Sequence, residues 1–408
     1  VSPSDGEIVL SPSAVVSVAF APPIAADERI EATLLRGVDD AQESASIRPL
    51  AADLASDGAS ATIEVDDLAP GRNLVSVKRL PVGATRASAF DSVTIDRGGY
   101  FALDAAPFAA GATGRSVTRP STLDPAVPRP LGISIWYPTA PSIPPNPQAA
   151  PVVDAPLFPG AQALPVVLFS HGLCSFPTQS VFLALALARA GYIVAAMTHP
   201  GGSYLDPPAG QACVTTTATS FAERPGDVIA TVDALLAWSA DPNDARFYGA
   251  VDPGRIGMSG HSFGGQTALR MAPLEPRIRA TLALAPALNV IAAVLTPAST
   301  GVPTMIQGGT LDTFAPFLTS QVPAYDALTA PRFLLEIHNT GHFAFADFCT
   351  PFFGLGGPDC AASALTQAQA HAIVLPYSLG FLGRYLAGDR RWDQLLEAQD
   401  GVLLQQER

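Results

Sequence analysis

The sequence predicts an α/β fold: a mostly parallel sheet covered by helices on both faces, preceded by a small β-sandwich. Three observations predict it. From residue 164 onward, short apolar runs alternate with stretches of helical period, the pattern of strands buried on both faces by crossover helices. Before about residue 97, short runs of period two are separated by turn residues, with no strong helical period, as in an all-β module. Apolar residues make up 48% of the 408 and charged residues only 14%, which fills a large core and excludes a mainly disordered chain.

In order, the runs at 14–20, 61–65 and 73–78 read as strands, with turns at Pro22-Pro23 and Ala69-Pro70-Gly71. They suggest an immunoglobulin-like sandwich over 1–97, ahead of a larger α/β domain over 98–408. The first of these contains no His, Cys or Trp, so it is expected to be a structural spacer or a module contacting a polymer or cell wall. Residues 97–148 read as a linker with strand entry, ending in a Pro-rich surface loop at 138–147. Strands follow at 164–170, 192–197, 255–259, 280–285, 302–306 and 332–337. Helices are expected at 179–190, 226–239, 262–271 and 366–386.

The net charge of −13 argues against nucleic acid or an anionic membrane as main partner, since both call for a basic face. The most apolar stretch, 182–197, is interrupted by Arg189 and Gly191 and falls short of the ~18 residues of a membrane span. No leader-like segment precedes the Ser/Pro-rich start, as in a mature secreted or periplasmic chain. Four cysteines without CxxC spacing favour disulfides over a metal site. Cys349 and Cys360 bracket a Pro/Gly-rich loop and are the expected pair, leaving Cys174 with Cys213. No metal and no cofactor are expected, because the histidines lack ligand spacing.

The chemistry concentrates at Gly260-His261-Ser262-Phe263-Gly264. A G-x-S-x-G turn between a strand and a helix forces the serine into a strained conformation and exposes its Oγ at the helix N-terminus. An apolar strand precedes this motif and a helix follows, which is the context the chemistry requires. Acyl transfer also needs two N–H donors for the oxyanion of its tetrahedral intermediate. Phe263, after the nucleophile, supplies one; Leu173, after the strand that ends in His171-Gly172, supplies the other. His171 itself is expected to brace that turn. Of the six histidines, the order Ser…Asp/Glu…His leaves His338, His342 and His371 as possible bases. His338 ends a strand and His371 lies in an Ala/Gln-rich helix. His342 follows the strand at its carboxyl end, where ligands gather in open α/β sheets. Asp312, in a Gly-rich loop after a strand, is the matching acid; Glu275, Asp326 and Glu336 fall on or beside helices and strands.

These residues resemble the α/β hydrolases. Gly260-His261-Ser262-Phe263-Gly264-Gly265, His171-Gly172-Leu173 and Thr198-His199-Pro200-Gly201 are similar to platelet-activating-factor acetylhydrolase-like and dienelactone hydrolase-like enzymes. The segments around Asp312 and His342 look more like bacterial cutinase and PET-hydrolase esterases. The resemblance covers roughly 98–390 and implies a Ser262–Asp312–His342 triad that cleaves carboxylic esters through an acyl-enzyme, without a cofactor. No carboxylate follows Leu284-Ala285-Pro286-Ala287, where acetylhydrolase-like members often carry their acid, which favours Asp312. The segment 202–223 and the N-terminal module are additions to a minimal cutinase.

The sequence thus points to a serine esterase for short- to medium-chain acyl esters or polyesters, with Phe176, Tyr204, Phe314 and Phe343 as candidates for lining the acyl pocket. Two other readings compete: a lipase-like phospholipid deacylase, and a polymer-binding protein with an inert hydrolase fold. No exposed apolar lid helix supports the first, and an intact set of catalytic residues opposes the second.

Overall fold

The computed structural model describes residues 7–9, 14–20, 23–36, 47–65, 71–81, 89–97, 108–139, 150–158, 163–204, 206, 217–288, 301–348, 365–388, 390–397 and 402–407. The chain divides into two compact units, Val1–Ala105 and Ala106–Arg408.

Among its described residues the first unit forms strands and turns without a helix. A five-stranded sheet has the order β1 (Glu7–Val9), β8 (Ala89–Arg97), β7 (Gly71–Pro81), β3 (Glu28–Arg36), β4 (Ile47–Leu50). A three-stranded sheet has the order β2 (Ala14–Ala19), β6 (Ser60–Val65), β5 (Asp53–Leu54). In β6, Ala61, Ile63 and Val65 are buried while Ser60, Thr62 and Glu64 are exposed, the alternation of a strand with one face on a core. Val16, Val18, Ile63 and Val65 from the smaller sheet pack with Ala32, Val75 and Val77 from the larger. The two sheets share one core, which makes this unit a sandwich.

The second unit is built on a ten-stranded sheet. Its strands are β9 (Ala109–Pro120), β10 (Pro128–Thr139), β11 (Val152–Val153), β12 (Leu164–Ser170), β13 (Ile193–Met197), β14 (Val251–His261), β15 (Ile278–Leu284), β16 (Thr304–Gly309), β17 (Arg332–Ile337) and β18 (Val402–Glu407). Their spatial order is β11-β9-β10-β13-β12-β14-β15-β16-β17-β18. From β13 to β17 every neighbouring pair is parallel, whereas β9/β10, β10/β13 and β17/β18 are antiparallel. Every residue of β13 and β16 is buried, as expected where helices cover both faces. The helices are α1 (Val181–Arg189), α2 (Thr217–Ala240), α3 (Phe263–Leu274), α4 (Val322–Asp326) and α5 (Gln367–Tyr385). This is an α/β-hydrolase fold. The carboxyl ends of β12, β14, β16 and β17 lie along one sheet edge, and the loops leaving them carry the candidate site.

Two stretches differ from the sequence reading. Residues 97–148 were expected to be mainly a linker, yet β9 and β10 form a long antiparallel hairpin pairing Ala109 with Thr139 at one end and Pro120 with Pro128 at the other. Pro138, expected in a surface loop, sits within β10. Gly, Arg, Ser and Thr dilute the apolar signal of β9, so propensity understates it. Helix α2 begins at Thr217, although Pro225 interrupts its sequence. Proline removes a helical N–H and frees the carbonyl four residues earlier. Here that carbonyl belongs to Phe221, and the Arg270 guanidinium donates to it at 2.8 Å while lying over the Phe221 ring. A partner from α3 therefore restores what the proline removes, and 217–223 is helix rather than added loop.

Candidate active site

Strand β14 ends at His261 and α3 begins at Phe263, so Ser262 alone makes the turn. Its φ of 58° and ψ of −120° lie where side chains are disfavoured. Ser262 N–H donates to Leu284 C=O at 2.9 Å, and Ser262 C=O accepts from Gln266 and Ala287 N–H at 3.0 and 3.1 Å. The flanking glycines are set by backbone approach. A Cβ on Gly264 would lie 1.8 Å from Ser170 O, and one on Gly260 would lie 2.3 Å from Gly264 O.

Asp312 follows β16 and His342 follows β17. Asp312 Oδ1 accepts from Phe314 and Ala315 N–H at 2.9 and 2.7 Å, which fixes the carboxylate plane. Its Oδ2 lies 2.8 Å from His342 Nδ1, and His342 Nε2 lies 2.8 Å from Ser262 Oγ. A carboxylate at Nδ1 assigns the proton to that nitrogen, so the Nε2 lone pair faces the serine hydroxyl. Asp312 and His342 are buried, while Ser262 is half-buried.

The side chain of His261 points inward, and a donor–acceptor chain fixes its tautomer. Gly172 N–H donates to Gln179 Oε1 at 2.8 Å, so Gln179 Nε2 must donate to His261 Nδ1, also at 2.8 Å. His261 Nε2–H then donates to His342 C=O at 2.9 Å. Burial, together with nearby His342, holds the His261 pKa well below the usual imidazole range, so the ring is neutral. The turn after β12 and the loop carrying His342 are thereby joined through two side chains.

A second buried cluster lies beneath the turn after β12. Ser170 Oγ is 2.8 Å from His199 Nε2, and His199 Nδ1 is 2.8 Å from Asp227 Oδ2. Arg129 and Arg119 donate to Asp227, and Arg119 also donates to Glu223. Burial opposes ionisation of Asp227, but the hydrogen bonds from Arg129 and His199 prevail and hold its carboxyl at about 2. With Asp227 already neutralised by two guanidinium groups, burial dominates at His199 and, with the charge of Arg224, lowers its pKa to about 4. Arg224, from α2, is buried and donates to His171 C=O at 2.5 Å and Gly172 C=O at 3.1 Å. His171 is buried, and its Nδ1 bonds its neighbour's carbonyl, Gly172 C=O, at 2.7 Å.

The N–H groups of Leu173 and Phe263 make no hydrogen bond among the described residues. Of the four aromatic candidates, Phe314 and Phe343 pack on His342 with ring centroids 5.4 and 5.5 Å away. Phe176 stacks on Phe348 at 5.6 Å, and Phe348 neighbours Phe343 at 6.3 Å, so an aromatic row runs outward from the histidine. Tyr204 N–H donates to Ser175 C=O at 2.9 Å, beside Phe176 in sequence. His338 is exposed beyond β17, and His371, on α5, is half-buried and stacked on Phe182 at 3.6 Å. Cys174 is disulfide-bonded and no described cysteine is free; Cys213, Cys349 and Cys360, and with them the expected pairings, lie outside the described residues. Among the described residues no group of side chains could hold a metal ion, and no helix is long and apolar enough to cross a membrane.

Sequence reasoning missed Gln179, Arg224, Asp227 and the inward role of His261. One signal was available: Glu223, Arg224 and Asp227 occupy i, i+1 and i+4 in a helix whose Val228, Thr231 and Val232 are buried, and charges on a buried stripe call for partners.

Residues 172–354 match the model of a family described as PET hydrolase-like. A cutinase of Thermobifida cellulosilytica is 28% identical over 177 residues, 43% of this chain and 57% of that protein. A bis(hydroxyethyl) terephthalate hydrolase of Streptomyces coelicolor is 25% identical over 232 residues, 56% of this chain and 60% of that protein. A second Thermobifida cellulosilytica cutinase is 31% identical over 149 residues, 36% of this chain and 47% of that protein. The chain thus spans about half the length of the curated relatives it matches. Ser262, Asp312, His342, Leu173 and Phe263 all fall within the matched segment, and over it the chain resembles the PET hydrolase-like and cutinase serine esterases of the α/β-hydrolase fold.

Proposed function

We propose that the protein is a serine carboxylic ester hydrolase acting on short- to medium-chain acyl esters, including the ester bonds of polyesters. The observation that carries the reading is the hydrogen-bonded line from Ser262 Oγ through His342 to Asp312, both links 2.8 Å; the Leu173 and Phe263 N–H groups, which make no hydrogen bond among the described residues, support it. Ser262 Oγ attacks the ester carbonyl as His342 Nε2 takes its proton; Asp312 holds the ring's orientation and stabilises the imidazolium. The oxyanion is received by Leu173 and Phe263 N–H. The alkoxide leaves with the proton from His342, and water, deprotonated by the same nitrogen, then hydrolyses the acyl-enzyme. The aromatic row of Phe314, Phe343 and Phe176 supports an apolar acyl or aromatic group on the substrate. The disulfide at Cys174 supports a location outside the cytoplasm, with Cys174–Cys213 and Cys349–Cys360 as the proposed pairs; a non-reducing peptide map checks them.

The test is hydrolysis of p-nitrophenyl esters from acetate to palmitate by wild type and Ser262→Ala. Wild type is expected to turn over the shorter chains, and Ser262→Ala to fall by roughly a thousandfold or more. Inactivity of wild type on every ester, or equal rates for the two, would overturn the reading.

A further inference from the structure

We infer that Arg224 and Gln179 are positioning residues that clamp the His171-Gly172-Leu173 turn from opposite sides and so aim and polarise the Leu173 oxyanion donor. The inference rests on the esterase reading and deepens it.

In a trans peptide the C=O and the next N–H point in opposite directions. Arg224 donates to Gly172 C=O at 3.1 Å, so the N–H of the same peptide unit, that of Leu173, points away from α2. Arg224 also donates to His171 C=O at 2.5 Å, and the N–H of that unit, Gly172, is taken by Gln179 Oε1 at 2.8 Å. The first of these peptide planes is therefore held on both edges and the second by its carbonyl, which leaves the Leu173 N–H edge for the oxyanion. Gly172 C=O further accepts from His171 Nδ1 at 2.7 Å and Ser175 N–H at 3.3 Å. A charge-assisted bond to a carbonyl draws electron density along its amide, and the Leu173 N–H becomes a stronger donor.

The same guanidinium reaches the other donor residue, lying 4.7 Å over the Phe263 ring. One buried charge thus contacts the flank of both proposed oxyanion residues. Its placement is costly for stability alone. No carboxylate forms a salt bridge with Arg224 among the described residues, and its Nε has no partner among them. Burial lowers its pKa to about 9, which leaves it cationic at neutral pH. An unpaired buried charge is tolerated poorly unless it serves a site. Glu223 and Asp227, its neighbours on α2, form their salt bridges with Arg119 and Arg129 instead, so Asp227 acts on Arg224 only through its field, and the hydrogen bonds of Arg224 go to the two carbonyls and to Ser170 Oγ.

The experiment uses wild type, Ser262→Ala, Arg224→Met, Arg224→Lys and Gln179→Leu, with active sites titrated by a p-nitrophenyl phosphonate. The readouts are kcat per titrated site, KM, and Ki for an alkyl boronic acid, whose tetrahedral serine adduct places an oxygen where the oxyanion forms. For Arg224→Met, kcat is expected to fall roughly ten- to a hundredfold, below the roughly 10²–10³ seen on deleting a donor outright. KM should stay within about threefold, and the boronate Ki should weaken in proportion to kcat, as for an interaction made in the transition state. Arg224→Lys should lie between, since it keeps the charge and loses the fork. Should Arg224→Met not fold, Gln179→Leu loosens the same peptide from the other side and is expected to show the same proportionality. A titratable variant with unchanged kcat and Ki, or a loss confined to KM or to the number of titrated sites, would overturn the inference. Wild type inactive on every ester would instead overturn the esterase reading, and the inference with it.

Discussion

Acid should destabilise the second unit before its salt-bridged carboxylates Glu223 and Asp227 protonate, because the unit buries neutral histidines. His199 has its pKa lowered from 6.5 to about 4, chiefly by burial and then by Arg224. Between those values the unfolded chain binds a proton that the folded chain does not, so stability present above pH 6.5 is lost progressively down to about pH 4. At about 1.4 kcal/mol per unit, His199 alone contributes about 3 kcal/mol of loss. His171 and His261, both buried and both lowered well below 6.5, add in the same direction. Asp227 and Glu223, held at about 2 by their hydrogen bonds against burial, lose their contribution only at lower pH. Asp206 and Asp347, raised by burial, oppose the trend only toward its acid end. Thermal unfolding followed from pH 7.5 to 4.5 should therefore show the second unit's transition falling by at least roughly 5 °C. A His199→Gln variant should decline more shallowly. A transition that stays level to pH 4.5 would refute the assignment of buried neutral histidines.

Three further outcomes follow from particular contacts. Asp312→Asn leaves the fold intact but misassigns the His342 tautomer, so kcat on a p-nitrophenyl ester should fall roughly 10⁴-fold; a loss under tenfold would remove Asp312 from the mechanism. Gly264→Ala places a Cβ 1.8 Å from Ser170 O, whereas Gly114→Ala meets nothing within 4 Å. The first should abolish phosphonate labelling of folded protein and the second should label like wild type. Arg270→Met deprives Phe221 C=O of its donor opposite Pro225, and the urea midpoint should drop by the equivalent of about 1 kcal/mol; an unchanged midpoint would mean that water satisfies that carbonyl equally well.

Much of this site could be read in the sequence because its spacing is imposed by local backbone geometry. The turn between β14 and α3 admits only glycine at 260 and 264, for approach distances of 2.3 and 1.8 Å to backbone oxygens, so the motif appears as a contiguous string. His342 and Asp312 were placed by their position after apolar strands, and the structure brings both to Ser262. Contacts between distant side chains that no motif or strand end marks were not legible. Arg224 meets the β12 turn across more than fifty residues, and Gln179 meets His261 across 82. Neither pair leaves a periodic trace. The β9–β10 hairpin escaped for a related reason. Its stability comes from a twelve-residue register and from Arg115 and Arg119 bound to Asp244 and Asp227 of the second half, not from its own propensity.

Among the described residues run two serine–histidine–aspartate lines with equal 2.8 Å links, and their difference bears on what a catalytic triad requires beyond connectivity. Ser170 lies within β12, fully buried, and Arg224 also donates to its Oγ at 3.3 Å. Its histidine is held neutral, and Asp227 is shared with Arg119 and Arg129. An imidazolium formed there would face Arg224 with its counter-charge already committed, so proton uptake from Ser170 is opposed twice. At Ser262 the strained turn lifts Oγ out of the strand, no arginine lies in salt-bridge distance of Asp312 among the described residues, and its other oxygen binds only two neutral N–H groups. The Asp312 charge is thus left for His342 to share when it takes the proton. The same three kinds of side chain brace the fold in one place, while in the other their arrangement suits the acyl transfer proposed above, and the uncommitted charge on the aspartate separates the two.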